Sequence, residues 1–166
     1  AATGHAAALF GQFAAYDGQT GRPLTPADVA RAARRVDVIL FGEEHNDAVC
    51  NQLQAQLLYA LLRDGRPVTL ALEFLEADTQ ADADAYLAGR LDEAAFVARA
   101  RLTRGYWRSH RPLVELCRAA GAPVLAANAP RRLVSQYRRA GEPFAAFRAT
   151  LPPDEQRWLP TAVPDD

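Results

Sequence analysis

The chain has 166 residues, 49% hydrophobic and 23% charged, enough apolar material for one core and one domain. Its 19 basic and 20 acidic residues leave a formal net charge of -1, which supplies no field to hold a polyanion and argues against a nucleic-acid partner. It has no run of about 18 apolar residues that would span a bilayer.

Every basic residue is arginine. Arginine suits bidentate anion contacts, but in so Ala- and Arg-rich a chain codon bias is the simpler reading. The first residue is Ala rather than Met, so the N-terminus is expected to be processed or trimmed, with any signal peptide already removed. The two cysteines, Cys50 and Cys117, lack CxxC spacing and sit in amphipathic stretches. They are expected as buried free thiols.

Residues 1–24 are small, polar and glycine-punctuated, a loosely ordered lead-in that carries His5 and at most a short strand. Thr25 followed by Pro26 predicts an N-cap and N1 proline, opening a helix to about Arg35. The run Val36–Phe41 (VDVILF) predicts a strand covered on both faces. From Asn46 to Asp64, Val49, Leu53, Leu57 and Leu61 recur every fourth residue, predicting a long helix ended by Gly65 and Pro67. Val68–Phe74 (VTLALEF) predicts a second buried strand.

The pattern from Asp78 to Arg101 is helical and broken at Gly89 and Arg90, predicting two helices. Pro112 marks a helix running to Ala120 and closed by Gly121, and Val124–Ala127 (VLAA) predicts a third strand. Pro130 opens a helix to Ala140, and two short helical pieces follow around Pro152 and Pro153. The order predicts an α/β fold: a parallel sheet with crossover helices on both faces. The domain is expected over 25–166, with an incomplete helical C-terminal part.

Each predicted strand runs into polar residues at its carboxyl end. Gly42-Glu43-Glu44-His45-Asn46 follows the first, Glu73 closes the second, and Asn128 with Arg131 follows the third. Carboxyl ends of parallel strands share one sheet edge, where ligands of open α/β sheets bind. Glu43, His45, Glu73, Asn128 and Arg131 are therefore expected to converge on one crevice. Taken singly, each is better explained as ordinary solvated charge at a strand end. Glu73 stands out because its neighbours are apolar, and a lone buried charge is costly unless paired; Arg131 or His45 is its expected partner.

Gly42 lets the backbone turn sharply between strand and loop. The GExH sequence lacks the paired histidines of HExxH metalloproteases, and the chain has no GxSxG elbow and no phosphate-binding glycine loop. Of the three histidines, His45 is the strongest site candidate, able to bind a metal or haem iron or to carry protons. His110 closes the stretch Gly105-Tyr106-Trp107-Arg108-Ser109-His110, which either lines an apolar pocket or makes a helix-entry staple with Trp107 buried.

Four motifs in order, Gly42-Glu43-Glu44-His45-Asn46, Ala71-Leu72-Glu73-Phe74, Pro112-Leu113 and Ala127-Asn128-Ala129-Pro130-Arg131, resemble those of ChaN-like proteins. That family lies in the wider group of Tiki and TraB proteins and erythromycin esterases, and the resemblance covers about residues 24 to 166. It implies an exported, iron-regulated bacterial lipoprotein, in the outer membrane or periplasm, anchored through a lipidated cysteine upstream of Ala1. It also implies haem as ligand, paired between two protomers in a homodimer, with tyrosine and histidine at the iron. Such chains usually continue into a second helical part.

This sequence departs from the family in two places. Cys50-Asn51 stands where many relatives carry histidine, and His110 stands where relatives often have tyrosine. The family's haem tyrosine has no assigned position here, and Tyr106 and Tyr137 are the candidates. The resemblance thus implies a non-enzymatic haem carrier with His45, His110 or a tyrosine on iron, Trp107 against the porphyrin, Asn128 in the pocket and Arg131 pairing the propionates. The alternative is a hydrolase of the Tiki or esterase type, in which Glu43, His45 and Glu73 hold a divalent metal or activate water.

Overall fold

The structure is a computed structural model that describes residues 14–45, 47–65 and 67–162. His5, most of the expected lead-in and Asn46 lie outside the described residues. The chain divides into two compact units, Ala1–Pro67 and Val68–Asp166.

The first unit opens with a two-residue antiparallel hairpin, β1 (Ala15–Tyr16) and β2 (Pro23–Leu24). Helix α1 (Pro26–Ala33) begins where Thr25 predicts it, in a capping box: the Thr25 side chain accepts from the Asp28 N–H, and the Asp28 carboxylate accepts from the Thr25 N–H. Helix α2 (Ala48–Arg63) is capped by Asp47, whose carboxylate accepts from Val49 N–H at 2.7 Å and Cys50 N–H at 2.9 Å. The two helices pack together, and Arg34 donates to Asp64 at 2.7 Å.

Residues 36–41 depart from expectation. They belong to no ladder among the described residues, and Val38 and Leu40 are 72% and 92% exposed. Apolar patterning supplies the side chains of a buried strand, but a strand exists only when its N–H and C=O groups find a neighbour's. Among the described residues, 36–41 have no such neighbour. Val36, Val38 and Ile39 of the run instead line, with Val29, Ala32, Ala33 and Leu57, a shallow apolar groove of about 240 Å³.

The second unit is α/β. Strands β3 (Leu70–Glu76) and β4 (Val124–Asn128) pair in parallel, Ala71 opposite Leu125 and Glu76 opposite Asn128, with a register shift between Leu72 and Glu76. The crossover joining them contains a 3-10 turn (Ala77–Thr79), α3 (Gln80–Leu87), α4 (Glu93–Arg99), a π-helical turn (Tyr106–His110) and α5 (Arg111–Ala120). Gly121 closes α5 at φ 66°, a left-handed position that glycine takes without strain. After β4 come α6 (Arg131–Ala140), α7 (Phe144–Thr150) and α8 (Pro153–Gln156).

The core of this unit is built from Leu72, Leu75, Tyr86, Phe96, Tyr106, Leu113, Val114, Cys117, Val124, Leu133 and Phe147, all buried. Tyr86 stacks on Phe96 at 4.6 Å, and Phe96 meets the edge of Tyr106 at 6.0 Å. Both cysteines are free thiols; Cys117 is fully buried and Cys50 only partly. Burial pushes the Cys117 thiol up to about 11, so it is inert as a nucleophile near neutral pH.

Candidate functional site

In the first unit, Glu43 and His45 come together as a carboxylate–imidazole pair. His45 Nδ1 lies 3.1 Å from Glu43 Oε1, and the Gln54 amide donates to Glu43 Oε2 at 3.4 Å. The loop carrying them is tied to the start of α2. The Asp47 N–H donates to Glu44 O at 3.1 Å, and the Cys50 thiol lies 3.7 Å from Gly42 O. The Glu43 side chain is 19% exposed and that of His45 80% exposed. A carboxylate on one ring nitrogen orients an imidazole and leaves the other nitrogen for a ligand. The pair therefore offers a directed, accessible nitrogen at the end of the exposed apolar run 36–41.

In the second unit, the expected buried and paired acid is misassigned. Glu73 is exposed, whereas Glu76, three residues on, is 8% exposed and carries the ion pairs. The reason is the length and irregularity of β3. The strand runs two residues beyond Phe74, exposed and covered positions alternate through Glu73, and at the register shift Leu75 and Glu76 are both covered. Glu73 thus falls on the open side of the pleat.

Glu76 gathers three donors from distant segments. Arg101 Nη2 donates at 2.9 Å, the Arg131 N–H at the start of α6 at 3.1 Å, and Arg131 Nε stands 3.4 Å from the other oxygen. Arg101 also holds Asp78, and Arg132 pairs with Asp78 and Glu155. Asn128 sits half-buried at the end of β4, opposite Glu76 in the ladder. Arg101 occupies φ 57°, a left-handed conformation unusual for a side-chain-bearing residue. Neither Glu76 nor Arg101 was singled out from the sequence; the signal available was a second acid in the strand, in Leu75-Glu76.

The aromatic stretch splits. Tyr106 and His110 are buried, while Trp107 is 49% exposed, correcting the reading of Trp107 as core. In the π-helical turn, His110 stacks on Phe74 at 4.1 Å and Tyr106 on Phe74 at 6.5 Å. The Tyr106 hydroxyl donates to Glu93 at 3.3 Å, and the Arg111 guanidinium holds both oxygens of that carboxylate at 2.6 and 3.0 Å. Burial, with Tyr86 and Glu93 beside it, drives the Tyr106 pKa upward, so the phenolate that would ligate ferric iron is strongly disfavoured. Tyr137 packs against Phe144 and Phe147 between α6 and α7.

No three His, Cys, Asp or Glu side chains stand together as a metal-ligand group among the described residues. Nor is any described helix long and apolar enough to cross a membrane. A family model described as haem-binding uptake, Tiki superfamily, ChaN matches residues 29–165. No curated protein and no solved structure matches the chain.

Proposed function

The chain belongs to the ChaN family of haem-binding uptake proteins in the Tiki superfamily, and from that premise we propose that it is an exported haem-binding lipoprotein of iron and haem uptake, with His45 as an iron ligand. The observation that carries the ligand assignment is the exposure and orientation of His45. Its imidazole is open to solvent, Glu43 holds one nitrogen, and Val38, Leu40 and Phe41 lie exposed just before it in sequence. A solvent-open imidazole that follows an exposed apolar run fits haem, whose faces are apolar and whose iron takes imidazole nitrogen.

Haem, when bound, would supply an iron centre that takes imidazole nitrogen; His45 would be the donor, oriented by Glu43. Tyr106 and His110 are less suited as ligands because both are buried against Phe74. Haem exposed on one protomer invites cover from a second, which supports a homodimer formed on haem binding. A lipid anchor upstream of Ala1 and an outer-membrane or periplasmic location complete the reading.

Haem titration followed at the Soret band tests it. Saturation at a defined stoichiometry is expected, with affinity lost by about tenfold or more in His45→Ala, the scale of losing a directed ligand. His110→Ala is expected to leave the band unchanged. Unaltered saturation in His45→Ala would overturn the ligand assignment, and a featureless titration of the unaltered protein would overturn haem binding. Chelator-sensitive ester or peptide cleavage lost in Glu43→Gln and in Glu73→Gln would instead favour the hydrolase reading.

A further inference from the structure

The outer edge of β4 is not bare. The Gln80 carboxamide, at the first residue of α3, donates through Nε2 to Val124 O at 2.8 Å, and its Oε1 accepts from the Ala126 N–H at 2.7 Å. In a parallel ladder, one residue of the neighbouring strand bonds the C=O before and the N–H after the residue it faces. Gln80 makes that pair of bonds around Leu125 with a side-chain amide in place of a peptide. Its second N–H donates to Asp84 Oδ1 at 2.8 Å, one turn on in α3, which fixes the rotation of the amide.

We propose that Gln80 is a side-chain surrogate for a strand, closing the outer edge of β4 against addition of a strand from a second copy of this chain. The edge needs such a device. Val124 and Ala126 are buried, so their outward backbone groups would lose water without gaining a partner, and Leu125 between them is 50% exposed. A short apolar strand with free N–H and C=O groups is a template for intermolecular pairing. Helix α3 lies against β4, which brings the amide within reach. Both members of the bonded pair are 44 and 46 residues from Gln80, so the contact is invisible to local pattern.

Amide hydrogen exchange in the unaltered protein gives the first test. Ala126 is expected to be protected although no backbone acceptor among the described residues faces it, and fast exchange of Ala126 in the folded chain would overturn the proposal. Gln80→Leu keeps the bulk but removes both bonds. Ala126 exchange should rise by about tenfold, the scale of one hydrogen bond, and sedimentation should show concentration-dependent self-association. Adding Leu125→Lys, a charge on the opened edge, should restore the monomer while Ala126 still exchanges fast. A folded Gln80→Leu protein that stays monomeric at all concentrations would sink the edge-closing role. Should that variant not fold, Gln80→Glu serves in its place: with the side chain ionised it still accepts from Ala126 but no longer donates to Val124, and unchanged association would count against the proposal.

Discussion

The sharpest residue-scale result is the exchange of roles between two acids three positions apart. Glu73 and Glu76 lie in one strand, yet only Glu76 is buried and held by Arg101 and by both the backbone and the side chain of Arg131. Removing one partner of a buried ion pair leaves the other charges desolvated, whereas an exposed acid is replaceable. Glu76→Ala is expected to destabilise by about 1–3 kcal/mol, below the cost for a fully buried pair because both arginines reach water. Glu73→Ala should change stability by less than about 0.5 kcal/mol. Urea unfolding of the two variants side by side checks the ordering, and equal losses would contradict it. His45 shows the same principle from the opposite side. Its exposure could not be read from Gly42-Glu43-Glu44-His45, since pairing to Glu43 and fastening by Gln54 depend on where α2 begins.

At the scale of elements, the local signals were legible. Thr25 with Pro26, the break at Gly89 and Arg90, and Gly121 after α5 mark helix ends within three residues of where they fall. These ends are decided by groups within four residues of one another, so sequence carries them directly. Thr25→Ala should cost about 1 kcal/mol, because the Asp28 N–H loses its acceptor and the Asp28 carboxylate loses the Thr25 hydroxyl, keeping only the Thr25 N–H. Thermal unfolding of that variant, with Thr25→Ser as the conservative control, measures the loss; a control no better than alanine would argue against the cap. Val36–Phe41 marks the limit of this reasoning. Its apolar pattern is that of a strand, but pairing is a property of two segments, and among the described residues the run has no ladder.

For the whole molecule, the buried polar groups of the second unit set its response to pH. Burial and the hydrogen bond to Glu115 raise the Tyr86 hydroxyl from 10.0 to about 12, so the folded state holds its proton where the unfolded state has released it. The folded state then binds more protons between those values, and stability falls as pH rises from about 10 towards 12. Denaturant midpoints measured from pH 9 to pH 11.5 should decline, and Tyr86→Phe should flatten the decline; an unchanged slope in that variant would assign it elsewhere. By itself the sequence determined the α/β class, the helix ends and the family, because periodicity, caps and short motifs are local or ordered along the chain. Only the tertiary structure decided which acid is buried, which aromatics are covered and what closes the edge of β4. Those outcomes rest on partners 25 to 55 residues away, and desolvation is decided by whatever the folded chain brings alongside.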